Sequence, residues 1–187
     1  MSEASRRARV GAQLKGPFNL LVLILLVAVL ALPSPGRAVE GTKTIFGHVE
    51  RVIISDQGFS LKARLDTGAE TTSLDAHNIR RIRRGDSRYV RFDVIDPQSG
   101  EFVALERPLV RNVRIRQHGG TWMRRPVVKM WLCIGPLVHE VEVNLTPRSE
   151  FLYPLLIGRS AMRGSIVVDP ELTFTQRPEC DPEDFVE

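Results

Sequence analysis

The chain has 187 residues, 43% hydrophobic and 26% charged, an ordinary globular balance with length for one modest domain and its own core. Its net charge is +4, and all of that charge lies in residues 1–38, where Arg6, Arg7, Arg9, Lys15 and Arg37 face one acid, Glu3; the remainder holds 21 basic and 21 acidic residues. The basic isoelectric point therefore belongs to the N-terminal segment and is no argument for a nucleic-acid partner.

That segment reads as a targeting sequence. A basic start leads into "FNLLVLILLVAVLAL", residues 18–32. The run is short of the ~20 residues of a comfortable membrane span and fits the core of a signal peptide. Gly36-Arg37-Ala38 is a small-x-small cleavage site, so cleavage is expected after Ala38, with an uncleaved anchor as the alternative. The domain is then exported, either periplasmic or held at the inner membrane facing outward. The membrane is a partner only if the segment stays attached.

Short strands dominate the rest, which reads as a domain over residues 39–175 followed by a tail over 176–187. "IFGHVERVII" and "FSLKARLDT" flank the turn signal Asp56-Gln57-Gly58. Leu61, Ala63 and Leu65 alternate with polar residues and share one face. "SLDAHNIRRI" fits a strand end or a short helical turn. "RRIRRGDSR" is the densest charge cluster and reads as a solvated loop, with a surface for acidic groups as the alternative. "YVRFDVID" and "EFVALERPLV" form a hairpin about Pro97-Gln98-Ser99-Gly100, and "VRNVRIRQ" and "TWMRRPVVKMWLCI" a second about His118-Gly119-Gly120. "PLVHEVEVNL" is a strand, "YPLLIG" a short buried run, "RSAMRG" a brief helix and "SIVVDPELTF" a final strand. Residues from Gln176 onward look like an exposed tail. Many short strands without a long amphipathic helix predict an all-β sandwich or barrel. Of the two cysteines, Cys133 sits in an apolar run where a buried free thiol is the commoner outcome; a bridge to Cys180 is the alternative in an exported domain.

The chemistry centres on "ARLDTGAETTSL", residues 63–74. Alone, Asp66-Thr67-Gly68 is a weak signal. Here an apolar strand enters it, and Leu155-Leu156-Ile157-Gly158-Arg159 follows some ninety residues later. Together these resemble the retropepsin-like aspartic proteases, whose signature is D-T/S-G-A and then apolar-apolar-Gly. "KARLDTGAETTSLDA", "VRF", "PVV" and "R…YPLLIGR…VD" are similar to a bacterial retropepsin-like family catalogued as ATP-dependent zinc proteases, over residues 45–169. The resemblance implies a retropepsin-like fold in a single lobe, a closed barrel or sandwich with one short helix. It also implies that Asp66 is catalytic, supported by Thr67, Gly68, Ala69 and Gly158. Gly68 lets the backbone turn tightly so that its amides face the carboxylate, the Thr67 hydroxyl can bond a neighbouring loop, and Gly158 gives the "LLI" strand room to pass beneath.

Only one D-T-G is present, and aspartic proteolysis needs two carboxylates around one water. The second must come from another copy, so a two-fold homodimer acting on a protein or peptide is expected. The resemblance further implies an ion pair, partly buried, between Glu70 and Arg159. It implies a flap, for which His118-Gly119-Gly120 is the first candidate and the hairpin at residues 96–100 the second. Family members are linked with peptide-ligase systems, which implies a processing or regulatory protease.

No H-E-x-x-H, no G-x-x-x-x-G-K-[ST] and no Cys/His cluster occurs, so no metal or cofactor is expected. His48, His77, His118 and His139 are scattered and read as surface or structural residues. Trp122 and Trp131 read as core or interface packing. Arg148 either braces the "YPLLIG" run or forms a surface salt bridge. Asn144-Leu145-Thr146 matches a glycosylation acceptor only by chance. Two other readings stand beside the endopeptidase: a non-catalytic peptide-binding or regulatory module of the same fold, and a metal-dependent hydrolase.

Overall fold

A computed structural model describes residues 42–54, 58, 60–116, 120–181 and 185. The chain divides into Met1–Glu40, outside the described residues, and Gly41–Glu187. The second unit is built from β1 (Thr44–Ile54), β2 (Ser60–Leu65), β3 (Thr72–Asp75), β4 (His77–Arg84), β5 (Ser87–Ile95), β6 (Phe102–Pro108), β7 (Arg111–Arg116), β8 (Trp122–Ile134), β9 (Leu137–Thr146), β10 (Leu155–Ile157), α1 (Arg159–Met162) and β11 (Ile166–Thr173). The expected all-β architecture and the one short helix are both present. Among the described residues no helix is long and apolar enough to cross a membrane. The turn signal at 56–57 lies outside the described residues.

Period-two patterning sets the core. Along β2, Leu61, Ala63 and Leu65 are buried while Lys62 and Arg64 face water. Phe46, Val52 and Ile54 of β1, Val128, Met130 and Leu132 of β8, and Val143 and Leu145 of β9 pack into the same cluster. The eight-stranded sheet runs β11-β1-β2-β10-β3-β9-β8-β7 and closes on itself, because β8 also pairs with β1 from Val52↔Ile134 to Ile54↔Leu132. Six strands thus form a ring without open edges, with β11 and β7 attached outside it.

β10 fixes the site. These three residues come from far along the chain and lie between β2 and β3, the strands on either side of the Asp66 loop. β10 runs parallel to β2 (Leu155↔Ala63, Ile157↔Leu65) and antiparallel to β3 (Leu155↔Leu74).

Four expectations need correction. "SLDAHNIRRI" contributes β3 and most of β4 and no helical turn. "RRIRRGDSR" is no loop: its arms belong to β4 and β5, and only the turn at Gly85, with φ +59°, is irregular. Val90, Phe92 and Val94 of β5 are buried and give β4 and β6 an apolar strand to pair with, which makes a separate three-stranded sheet. Cys133 is not a free thiol, since it forms a disulfide with Cys180 at a Cα–Cα distance of 6.3 Å. The start of the tail is therefore anchored. Glu179 N–H donates to Gly135 O at 2.8 Å, and Gln176 N–H donates to Glu50 Oε2 at 3.4 Å. Glu50 is fully buried and its Oε1 also accepts from the Gly47 and Thr175 amides at 2.7 and 3.0 Å.

Candidate active site

Asp66 sits where β2 ends. Its own N–H donates to Ile157 O at 2.9 Å, so the loop is stitched to β10 at its first residue. Its Oδ1 accepts from Gly68 N–H at 2.8 Å and Ala69 N–H at 3.3 Å. Oδ2 has no hydrogen-bond partner among the described residues. The carboxylate is half-buried, whereas Thr67 and Gly68 beside it are exposed. The Thr67 hydroxyl makes no hydrogen bond among the described residues.

Gly158 passes against this loop so closely that a Cβ there would lie 2.6 Å from the Thr71 carbonyl carbon and 2.7 Å from Glu70 O. Those atoms are backbone and cannot turn aside. Gly158 N–H points at Thr72 Oγ1 at 3.3 Å. The amides of Arg159 and Ser160 then donate to Ala69 O and Glu70 O at 2.8 and 3.0 Å, which fixes the start of α1 on the Asp66 loop.

Arg159 completes the clamp. Nη2 donates to Glu70 Oε2 at 2.8 Å, and Nη1 donates to both Thr67 O and Gly68 O at 2.9 Å. Arg163 adds a longer contact to Glu70 Oε1 at 3.4 Å. The pair differs from expectation in its setting: the Arg159 and Glu70 side chains remain 47% and 56% exposed. Its ionic part is correspondingly weak, and the carbonyl contacts of Nη1 give the guanidinium its geometric role.

Comparison with known proteins identifies the family to which a chain with this loop and fold belongs. A family model described as "RimB-like: Retropepsin-like aspartic endopeptidase RimB" matches residues 45–179. The chain belongs to this RimB-like, retropepsin-like family.

The RimB-like chain is 39% identical to a solved structure of a Legionella pneumophila protein of unknown function, with a TM-score of 0.64 over 73% of this chain and all of that one. It is also similar to probable alpha-L-glutamate ligases: 35% identical to that of Parasynechococcus marenigrum and 31% to that of Desulfotalea psychrophila, over 69% and 70% of this chain. The chain spans only 28% and 29% of the length of those ligases.

Other candidates in this RimB-like chain fall variously. His118 and Gly119 lie outside the described residues. Gly120, exposed with φ +87°, follows them just before β8, and β7 pairs with β8 from Arg111↔Val127 to Arg116↔Trp122. The rival hairpin at residues 96–100 belongs to the separate three-stranded sheet. Trp122 is not core: it is 59% exposed on the β7–β8 hairpin, with the Arg114 guanidinium 5.4 Å from its ring centroid. Among the described residues no group of three His, Cys, Asp or Glu side chains could hold a metal ion. His48 bonds Leu172 O at 3.0 Å, and His77 lies 3.3 Å from Asp75.

Sequence reasoning missed a polar network next to this loop. Arg148 is no surface residue: it is 8% exposed, and its N–H donates to Asp75 Oδ1. Ser73 and Asn144 are buried beside it, and Ser73 Oγ lies 3.2 Å from Asn144 Oδ1. Asn144 is thus closed to glycosylation as well. Arg125 of β8 donates to Asn144 Oδ1 at 3.3 Å. The signal that could have found it is a polar residue at a buried position of two strands, Ser73 of β3 and Asn144 of β9.

Proposed function

We propose that this protein is an aspartic endopeptidase that works as a two-fold homodimer, with Asp66 of each copy at the axis. The observation that carries the reading is the Asp66 loop: its carboxylate is held on one oxygen by two backbone amides, and β10, Gly158 and Arg159 fix its backbone from beneath. The exposed Thr67–Gly68 face beside it leaves a surface for a second copy. Two such carboxylates around one water share a proton, because like charges this close cannot both ionise. The ionised one removes a proton from the water, whose oxygen attacks the peptide carbonyl carbon. The protonated one gives its proton to the carbonyl oxygen. Collapse of the tetrahedral species breaks the C–N bond as the amine takes up a proton. No covalent enzyme intermediate is involved.

The β7–β8 hairpin supports a role as the flap, because it is continuous with the barrel strand that pairs with β9 and β1. A flap excludes water and holds the substrate. The likeness to a segment of alpha-L-glutamate ligases supports a peptide substrate that carries glutamate. The disulfide supports an oxidising, extracytoplasmic location.

The decisive experiment is cleavage of a peptide library by the protein and by Asp66→Asn, which keeps the shape and removes one titrating oxygen. Cleavage by the first and not the second is expected. Equal cleavage by both overturns the endopeptidase reading, and binding without cleavage by either supports the non-catalytic module instead. Activity unchanged by chelator is expected; its loss, restored by added zinc, supports the metal-dependent alternative.

A further inference from the structure

We propose that the outer face of the β4–β5 hairpin carries a site for a protonated phosphate group, built from Asn78, Arg80, Arg91 and Asp93. These four residues line a cleft of about 340 Å³. The cleft lies on the separate three-stranded sheet, and β2, β3 and β10, which hold the Asp66 loop, contribute nothing to it. The site is therefore independent of the endopeptidase reading.

Alternation along the hairpin aims these side chains outward. Val90, Phe92 and Val94 of β5 are buried, so Arg91 and Asp93 lie on the opposite face. Arg80 of β4 stands directly across from Arg91 in the register. Like charges in that relation repel, because the Cβ atoms of cross-strand neighbours lie only about 5 Å apart. The sheet does not neutralise them. Glu106 of β6 is opposite Arg91, yet both of its oxygens turn to Arg84 Nη2, at 2.9 and 3.2 Å. Neither Arg80 nor Arg91 has a hydrogen bond or an ion pair among the described residues. Residues 77–95 hold six arginines and two acids, so the rest of the hairpin adds to the positive field.

The edge of the cleft is preset. The β4–β5 ladder is irregular between His77 and Arg80, and there Asn78 takes φ +50°, a left-handed conformation that few side chains adopt. From this position Asn78 Nδ2 donates to Asp93 Oδ2 at 2.7 Å. Asp93 Oδ1 has no hydrogen-bond partner among the described residues. The cleft thus presents two guanidinium forks and one free oxygen on a carboxylate that is held in place.

That set selects a chemistry. Two opposed forks suit a compact oxyanion with oxygens on several sides, and a charge near −2 offsets both arginines. A carboxylate brings one charge and one edge. Asp93 repels a bare dianion but accepts a hydrogen bond from an anion that carries a proton. Hydrogen phosphate meets all of these demands, whereas sulfate has no proton to donate at neutral pH. Free phosphate and the phosphomonoester headgroup of a lipid present the same group, and the test separates these sources.

The test is isothermal titration of the full chain at neutral pH and constant ionic strength, with potassium phosphate, potassium sulfate and sodium glutamate as probes. Phosphate should bind at one site per chain, about tenfold or more tighter than sulfate or glutamate. Arg80→Gln and Arg91→Gln should each weaken phosphate by about tenfold or more without lowering the melting temperature, since both side chains are exposed. Arg88→Gln, on the same hairpin but outside the cleft, should leave phosphate binding unchanged. Asp93→Asn should raise the affinity for sulfate towards that for phosphate. Co-sedimentation with phosphatidylcholine vesicles, with and without phosphatidic acid, separates the sources. Extra binding to phosphatidic acid that Arg91→Gln removes identifies a lipid headgroup. Phosphate binding without that extra identifies the free anion, and either result supports the proposal. Equal affinity for sulfate and phosphate, tighter binding of glutamate, or an equal loss in Arg88→Gln means a diffuse basic face and overturns it. Absence of binding in both assays overturns it as well.

Discussion

At the scale of single residues, Asp66 and Gly158 do different work and should fail differently. Asp66→Asn retains the oxygen that accepts from Gly68 and Ala69 N–H, so circular dichroism and melting should change little, while peptide cleavage falls by about 10²–10⁴-fold through lost general acid–base action. Gly158→Ala puts a methyl against the Thr71 and Glu70 backbone. Urea titration should show a loss of about 1–3 kcal/mol, with cleavage impaired because the strain lands on the Asp66 loop itself. Both residues were legible in the sequence because their roles are set by their own short motifs. Arg125 and Arg148 were not. Each is one arginine among many, and only the fold buries Arg148 beside Ser73 and sets Arg125 against Asn144.

At the scale of elements, α1 is four residues long and does not hold itself in place. Backbone amides into Ala69 O and Glu70 O, and the Arg159 fork, hold it to the loop. Glu70→Gln should therefore cost no more than about 1 kcal/mol, as befits a half-exposed pair. Arg159→Ala should cost more, because it also releases the Thr67 and Gly68 carbonyls; comparing the two variants by thermal melting and by kcat checks this. Strand identity was mostly legible, since alternation along β1, β2, β8 and β9 is written in the sequence. The arginine-rich β4–β5 hairpin was misread because its charges hid the buried Val90, Phe92 and Val94 that pair it.

At the scale of the whole molecule, two closures matter. The Cys133–Cys180 disulfide closes a loop over a sequence separation of 47 and ties the tail to the β8–β9 turn. Cys180→Ser, or reduction, should lower stability by about 2–4 kcal/mol in urea titrations. The second closure, on the proposed reading, is the homodimer. If only a pair of intact Asp66 carboxylates is active, equal mixing of wild type with Asp66→Asn after subunit exchange should leave about a quarter of the activity of the same total protein, against about half for independent monomers.

The sequence by itself determined that the domain is strand-rich and that the Asp66 motif and the Gly158-Arg159 element belong together; that a single copy carries half a catalytic pair belongs to the proposed function. Turn chemistry, period-two alternation and a short motif act over a few residues, so they can be read along the chain. Only the tertiary structure decided that β10 slides between β2 and β3, that Cys133 meets Cys180, and that Arg148 is buried against Ser73. Strand partners, disulfide geometry and desolvation depend on segments far apart in the chain, and no local pattern encodes which of them will meet.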